Sequence, residues 1–305
     1  MKRRTLLLST VALIIGCASP EARPGPTATS TPVPATALPL ATVSEAPDVS
    51  GSASRVEDRT FASPTLGRAM PYFVFLPPGY DASAGASYPV LYMLHGMSGT
   101  NTEWRDLGLF TQADALMKTR EVRPMIIVLP QGDDSYWVDH VNGPKWGTYT
   151  ARDVVSEIDG RYRTLRQRER RAVGGLSMGA HGALQLALNF PDVYRVVGAH
   201  SLVLRPANAL PDYFGGPSES RLRDPVMLAA AHPSIARELL ISIDVGAQDS
   251  WLPAAKAFHD QLVREGVPHE WRTPPGEHTA EYWTAQIPND LRFYSAALAG
   301  EWHAP

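Results

Sequence analysis

Apolar positions along this chain fall into two patterns, short continuous runs and longer stretches with helical spacing. The runs at 71–76, 89–94 and 125–129 are almost wholly apolar, which is typical of strands buried on both faces of a parallel sheet. Between the second and third runs, residues 109–118 have the spacing of a crossover helix. Strand, helix and strand in this order predict a doubly wound α/β domain.

The same alternation continues towards the end of the chain. Residues 150–162 place apolar side chains on one side of a helix, and further strands and helices follow in turn. The predicted strands are 193–199, 239–245 and 269–273, and the predicted helices are 251–264 and 281–298. Residues 51–305 are therefore predicted to form the folded domain.

A glycine-flanked serine joins a predicted strand to a predicted helix. Gly175 and Gly179 flank Ser177 as G-x-S-x-G, and the turn leads into a helix that contains the apolar-rich stretch 183–188. Both glycines are needed because this tight turn strains the serine backbone and brings strand and helix too close for side chains. The backbone N–H of Met178 then lies at a helix N-terminus, where a developing negative charge is favoured. The pattern predicts a nucleophile elbow; the alternative is an ordinary glycine-rich turn with a chance serine.

An acyl-transfer site also needs a base beside the nucleophile and an acid that orients the base. After a nucleophile elbow the acid and then the histidine are expected to follow the serine along the chain, each on a loop after a strand. Asp249 and His278 satisfy this order. Asp244, on the strand before Asp249, is the other candidate acid, and a helix cap is the alternative role for Asp249.

The other histidines are poorer candidates for the base. His259 lies in a predicted helix, His269 at a strand start and His303 in the tail. Four more have no acid partner at a strand end in the required order: His140, His181, His200 and His232. His95 is predicted to be a structural loop residue, and for His278 the alternative is a generic surface histidine.

The N-terminus has the pattern of an export signal. Within residues 1–16, three basic residues precede an apolar run that is too short to span a bilayer but right for a signal peptide. Ile14-Ile15-Gly16-Cys17 resembles the lipobox of bacterial lipoproteins, in which the cysteine becomes the lipidated first residue. A plain secretory signal with an incidental cysteine is the alternative. We expect an exported protein held to a membrane through Cys17, facing outside the cytoplasm.

Residues 17–50 separate this signal from the folded domain. Pro, Ala, Thr and Ser dominate the segment, which carries too little apolar surface to fold. The prolines favour an extended chain, and at roughly 3.1 Å per residue the segment reaches about 100 Å. It is predicted to be a disordered tether.

Composition and charge exclude several functions. The 305 residues, 44% of them hydrophobic, suffice for one sizeable core, and the single cysteine excludes an intramolecular disulfide. The formal charge of −3 becomes −6 once the three basic residues of the leader are removed, which disfavours nucleic-acid binding. Arginines at 161–171 precede the elbow strand and are predicted to form a solvated, partly ion-paired face. No HExxH motif, Cys/His cluster or phosphate loop is present, so neither a metal nor a cofactor is implied.

Taken together, several motifs resemble the esterase D-like branch of the α/β-hydrolases. That branch includes feruloyl and other carbohydrate esterases, S-formylglutathione hydrolase and the trehalose mycolyltransferases. The motifs within residues 65–300 are Leu76-Pro77-Pro78-Gly79-Tyr80, Tyr88 to Gly96 with Trp104, Gly174 to Gly179, Phe190-Pro191-Asp192, Phe214-Gly215-Gly216, Asp244 to Asp249, and Pro275-Gly276-Glu277-His278 with Tyr282-Trp283. Ala180-His181 replaces the usual glycine and aromatic residue, and Ala280 takes a place that is often aromatic.

The resemblance implies an α/β-hydrolase fold and places a second oxyanion donor on the backbone N–H of Met97. Each of the two donors, Met97 and Met178, is worth roughly 3 kcal/mol of transition-state stabilisation. We therefore expect a lipid-anchored serine esterase with the triad Ser177, His278 and Asp249, acting on small-molecule or carbohydrate esters.

Two other functions stay open. An acyltransferase would use a sugar or lipid alcohol in place of water, and a silent binding protein would keep the scaffold without catalysis. The acyl group, the alcohol and the oligomeric state are not determined by the sequence. Four tryptophans are predicted either to line a substrate cleft or to fill the core: Trp137, Trp146, Trp251 and Trp283.

Overall fold

The computed structural model describes residues 52–304, so the predicted signal peptide, tether and lipidation site at Cys17 lie outside the described residues. One eight-stranded sheet runs through the described domain in the order β1-β2-β4-β3-β5-β6-β7-β8. The strands are β1 Arg55–Ser63, β2 Arg68–Leu76, β3 Val90–Leu94, β4 Ile126–Pro130, β5 Arg171–Leu176, β6 Val196–His200, β7 Leu240–Asp244 and β8 His269–Arg272.

Six strands of this sheet, β3 to β8, are parallel, whereas β1 and β2 join them as an antiparallel pair. Every residue of β3, β4 and β5 is buried, because helices cover the sheet on both faces. This is why their apolar runs are continuous and do not alternate with polar residues. The predicted mostly parallel, doubly wound α/β fold is confirmed.

Helices form the layers on either side. They are α1 Glu103–Asp106, α2 Leu109–Lys118, α3 Trp146–Thr148, α4 Val155–Arg161, α5 Met178–Asn189, α6 Pro217–Ser220, α7 Pro225–Ala231, α8 Pro233–Glu238, α9 Leu252–Arg264 and α10 Ala280–Ala299. The core on one face includes side chains of α4, α5, α7 and α9, and the core on the other includes those of α2 and α10. No helix within residues 52–304 is both long and apolar enough to cross a membrane.

The helix predicted at 150–162 differs from the observed one. Helical structure begins at Trp146 and passes through a π-helical segment, Tyr149–Val154, before α4. The Thr150 hydroxyl donates a hydrogen bond to the Trp146 carbonyl at 2.8 Å. A hydroxyl bound to the Trp146 carbonyl competes with the backbone N–H that binds this carbonyl in a regular α-helix. This competition accounts for the wider, π-helical turn.

Strand β1 was not predicted from the pattern. It lies at the edge of the sheet, and most of its nine residues are partly or fully exposed. Its sequence therefore carries no apolar run, and pairing with β2 along its whole length stabilises the strand instead. The other predicted strands and helices are present with ends shifted by three residues or fewer.

Most arginines between positions 161 and 171 form ion pairs or hydrogen bonds with neighbouring residues. They lie at the edge of the sheet opposite the candidate site. Arg161 pairs with Glu157, Arg168 with Glu238, and Arg171 with Asp159. Arg171 is the first residue of β5, which places this group at the amino end of the parallel strands. The predicted ion-paired face is confirmed.

Candidate active site

Ser177 lies in the turn between β5 and α5 with φ 57° and ψ −116°, a backbone conformation that non-glycine residues rarely adopt. A Cβ on Gly179 would lie 2.4 Å from the Leu94 carbonyl oxygen, and one on Gly175 would lie 2.5 Å from the Gly179 carbonyl carbon. Both contacts are with backbone, which cannot rotate away. The predicted steric need for glycine on each side of the serine is therefore confirmed.

The structure brings Ser177, His278 and Asp249 together at the carboxyl edge of the sheet. His278 Nε2 lies 2.9 Å from Ser177 Oγ, and His278 Nδ1 lies 2.8 Å from Asp249 Oδ2. The three residues follow β5, β8 and β7, parallel strands whose carboxyl ends lie along the same edge of the sheet. The Asp249 carboxylate is fully buried, whereas a quarter of the His278 side chain is exposed. These contacts have the lengths needed to pass a proton from serine to histidine.

The sequence left Asp249 as either the triad acid or a helix cap; in the structure its carboxylate faces His278 and forms a turn before α9, whose N-cap residue is Trp251 and which has no side-chain cap. Oδ1 of Asp249 accepts the backbone N–H of Trp251 at 2.9 Å, immediately before α9, while Oδ2 faces His278. Burial alone would raise the pKa of Asp249, but the hydrogen bonds from His278 and from the Trp251 N–H hold this pKa below its usual value. The side chain is thus an ionised carboxylate facing the imidazole.

Asp244 contacts a different histidine. Its carboxylate accepts hydrogen bonds from the Tyr282 hydroxyl at 2.7 Å and from Nδ1 of His200. His200 and Asp244 are paired in register at the ends of β6 and β7, so His200 does have an acid partner at a strand end. This pair was not predicted from the sequence because His200 precedes Asp244, whereas in the required order the acid precedes the histidine. Nε2 of His200 lies 2.8 Å from the Tyr294 hydroxyl and has no contact with Ser177.

The His200 pair belongs to a buried cluster of four charged groups. Although burial alone would lower the pKa of His200, the carboxylates of Asp290 and Asp244 raise it. Burial raises the pKa of Asp290 to about 7. Arg272 Nη2 lies 2.8 Å from Asp290 Oδ1 and 3.5 Å from Asp244 Oδ1. The cluster therefore balances acidic groups with a guanidinium and an imidazole beneath the loops that carry the site.

Among residues 52–304, one group of acids and histidines has the spacing of a metal site. The ligand atoms of His200, Asp244 and Asp290 lie within 4.8 Å of one another. The Arg272 guanidinium already lies against both carboxylates and supplies the positive charge that a metal ion would bring. The donor set fits an ion-pair network better than a metal site.

The loop after β3 presents the predicted oxyanion donor. The Gly96 N–H donates to Glu103 Oε2 at 2.6 Å, and the Ser98 N–H donates to Asp134 Oδ1 at 2.6 Å. Met97 lies between these two anchored N–H groups, and its own N–H has no acceptor within the described part of the chain. The same holds for the N–H of Met178, the first residue of α5. Both predicted donors are therefore free to bind an oxyanion.

Glu103 is a site residue that the sequence analysis missed. Burial raises the pKa of its carboxyl group, which lies under the loop and binds the Gly96 N–H. The next residue, Trp104, donates from Nε1 to the Leu94 carbonyl at 2.9 Å and so fixes α1 at the end of β3. A Cβ on Gly99 would lie 2.7 Å from Glu103 Oε2. The signal available in the sequence was Gly99, which lies four residues before Glu103 and five before Trp104.

His95 ties the same loop to its neighbour. Its Nε2 accepts the Gly132 N–H at 3.0 Å, and its Nδ1 lies 2.8 Å from the Gly96 carbonyl oxygen. Burial lowers the pKa of this histidine, which keeps the ring neutral. These contacts are those of the structural loop residue that the sequence predicted.

The four tryptophans divide between core and site. Trp137 and Trp146 are buried, and the Trp137 indole donates to the His95 carbonyl. Trp251 and Trp283 are partly exposed, and the Trp283 ring packs edge-on against His278 with the centroids 5.2 Å apart. The core alternative therefore holds for Trp137 and Trp146, and a substrate-cleft role stays a prediction for Trp251 and Trp283.

Residues 63–294 match the model of a protein family described as "Putative esterase". The chain belongs to this esterase family. The predicted family and the α/β-hydrolase fold are thereby confirmed.

Known esterases are similar to most of the chain. Esterase Rv1288 of Mycobacterium tuberculosis is 29% identical over 240 residues, which are 67% of this chain and 51% of that protein. The chain thus spans about half the length of the curated relatives it matches. A solved ferulic acid esterase is 27% identical with a TM-score of 0.74, covering 81% of this chain and 99% of that one. An S-formylglutathione hydrolase from Staphylococcus aureus, 22% identical with a TM-score of 0.67 and covering 80% of this chain and 100% of that one, shows the fold alone.

His181 is one of the two positions at which this member of the esterase family departs from the motifs. It lies one turn into α5 and is buried, with Nε2 bound to the Arg223 carbonyl at 2.9 Å. Its ring packs edge-on against Tyr136 and Phe214, with centroids 5.1 and 5.7 Å apart. The imidazole therefore replaces an aromatic side chain in the wall beside the elbow. The other departure, Ala280, is the first residue of α10.

Proposed function

We propose that this chain is a serine esterase that hydrolyses carboxylic esters through a covalent acyl-enzyme. The observation that carries the proposal is the unbroken hydrogen-bond chain from Asp249 through His278 to Ser177 at a strained elbow. A histidine with a carboxylate on Nδ1 presents an unprotonated Nε2 to the serine hydroxyl. This is the arrangement that makes a serine nucleophilic near neutral pH.

Acylation begins when Ser177 Oγ attacks the ester carbonyl carbon as its proton passes to His278 Nε2. The carbonyl oxygen becomes an oxyanion, which the N–H groups of Met97 and Met178 bind. His278 then returns the proton to the departing alkoxide, so the alcohol leaves and the acyl group stays on Ser177. Water repeats the sequence and releases the carboxylic acid. Asp249 orients the imidazole and stabilises its cationic form throughout.

For the substrate we propose acyl or feruloyl esters of carbohydrates or similar alcohols. The support is the likeness at 27% identity to a protein named as a ferulic acid esterase. The partly exposed Trp251 and Trp283 beside the acid and the base provide aromatic surface on which such a substrate can pack. A screen of acetyl, feruloyl and longer-chain esters, with and without added sugar or lipid alcohol, separates hydrolysis from acyl transfer by its products.

The test of the nucleophile is Ser177→Ala against Ser87→Ala, a control that removes an exposed hydroxyl far along the chain from the elbow. We expect Ser177→Ala to lose fluorophosphonate labelling and ester turnover while unfolding at the same urea concentration as the wild type. Ser87→Ala should keep both fluorophosphonate labelling and ester turnover. Residual turnover above about one per cent in Ser177→Ala would move the nucleophile elsewhere, and a wild type that neither labels nor turns over any ester would instead indicate a binding protein.

We further propose that Cys17 is lipidated and that the protein is anchored to a membrane outside the cytoplasm. Its support is the basic tip, short apolar run and Ile14-Ile15-Gly16-Cys17 motif of the sequence. In a bacterial host, Cys17→Ser should abolish palmitate incorporation and release the protein from membranes without changing its specific activity. Continued membrane retention would show that the leader is itself an uncleaved anchor.

A further inference from the structure

Arg205 lies on the segment that follows β6, beside the candidate active site. Its Nε donates a hydrogen bond to the Tyr136 hydroxyl, and its guanidinium carbon lies 5.8 Å from the ring centroids of both Tyr136 and Trp251. The two rings therefore hold the guanidinium in place from the loop after β4 and the loop after β7.

Both of these aromatic residues are bound directly to parts of the catalytic machinery. The Trp251 N–H donates to Asp249 Oδ1 at 2.9 Å, and the Tyr136 N–H lies 3.3 Å from the sulfur of Met178. A single residue, Trp251, thus separates Arg205 from the triad acid Asp249. On the other side a single residue, Tyr136, separates Arg205 from Met178, whose N–H is one of the oxyanion donors. Arg205 is partly exposed, so a bound molecule can reach it.

This cation has no acidic partner among residues 52–304. No carboxylate oxygen lies within 4.0 Å of its nitrogens, in contrast to the ion-paired Arg161, Arg168 and Arg171 at the far edge of the sheet. Asp134, on the loop that carries Tyr136, instead binds the Ser98 N–H. The terminal nitrogens of Arg205 are therefore free to form the two parallel hydrogen bonds that a guanidinium makes with a carboxylate.

We propose that Arg205 binds a carboxylate group of the substrate and makes the site selective for esters that carry this negative charge near the scissile bond. The inference rests on the proposed esterase function and adds a substrate class to it. Since a partly exposed pair is weakened by solvent, we expect the charge to change kcat/KM by about tenfold.

Two pairs of esters test this proposal; the members of the first pair share a leaving group, and those of the second share an acetyl group. The first pair places the charge on the acyl side: 4-nitrophenyl hydrogen succinate against its neutral methyl ester. The second places it on the alcohol side: 4-acetoxybenzoate against its methyl ester. The wild type is compared with Arg205→Gln, with Arg205→Lys, and with Arg264→Gln, a matched charge removal on an exposed face of α9.

We expect Arg205→Gln to lower kcat/KM about tenfold for the charged member of one pair and less than twofold for its neutral partner. Arg205→Lys should recover part of the loss, Arg264→Gln should change nothing, and added salt should reduce the preference of the wild type. An equal loss for charged and neutral esters would assign Arg205 a structural role on Tyr136 and overturn the proposal, as would no loss for either. Failure of the wild type to hydrolyse any of the four esters would instead overturn the proposed function.

Discussion

Replacing Asp249 with asparagine separates the two roles of this side chain. Oδ1 accepts the Trp251 N–H and Oδ2 faces Nδ1 of His278. Asparagine and aspartate side chains both accept a backbone N–H two residues further along the chain, so the asparagine oxygen can stay on Trp251. Its NH₂ group then faces Nδ1 and donates where the carboxylate accepts. The His278 proton moves to Nε2, and that nitrogen can no longer take the proton of Ser177.

The expected loss follows from two changes at once. The amide favours the wrong imidazole tautomer, and it brings no negative charge to stabilise the imidazolium that forms during attack. In a serine-protease triad the same substitution lowers kcat by about 10⁴, and we expect a fall of roughly 10² to 10⁴ in Asp249→Asn. The free energy of unfolding should change by less than about 1 kcal/mol, because the hydrogen bond to Trp251 is kept.

The assay is kcat on a 4-nitrophenyl ester together with urea unfolding, and the matched variant is Asp244→Asn. Asp244 is fully buried and binds His200 and Tyr282, so its charge removal should cost about 3 kcal/mol of stability and reduce kcat less than tenfold. If Asp244→Asn instead had the larger kinetic loss and Asp249→Asn the larger loss of stability, Asp244 would be the acid and Asp249 only a residue that stabilises the turn before α9.

Two further predictions follow from the loops and from the sheet. Glu103→Ala should lower kcat about tenfold at unchanged KM because Gly96 loses its acceptor, whereas Glu103→Gln keeps an acceptor and most of the activity; equal losses in the two variants would refute this positioning role. Gly174→Ala should cost about 3 kcal/mol in urea unfolding because its Cβ would lie 1.8 Å from the Tyr294 hydroxyl oxygen. Gly160→Ala, in an open position of α4, should be neutral or slightly stabilising, and equal stability of the two variants would contradict the packing argument.

Several features of this protein are determined by short stretches of its sequence. Continuous apolar runs predict β3 and β4 because burial on both faces acts on each strand separately. The G-x-S-x-G pattern of the elbow is also read from a short stretch, and the contact that requires Gly175 arises within the turn, whereas the contact that requires Gly179 is with the Leu94 carbonyl of β3. The order of serine, acid and histidine is likewise visible along the chain. These stretches suffice for the fold class and for the three residues of the candidate triad.

Contacts between distant segments were decided only by the tertiary structure. The strand order places the ends of β6 and β7 side by side, which pairs His200 with Asp244 across 44 residues. Asp249 shows the same limit, because its bond to the Trp251 N–H is local whereas its contact with His278 spans 29 residues. That Arg205 has no acidic partner within residues 52–304 depends on every segment packed around it. Hydrophobic spacing and turn sterics act over a few residues, whereas electrostatic partners are chosen by the packing of the whole domain.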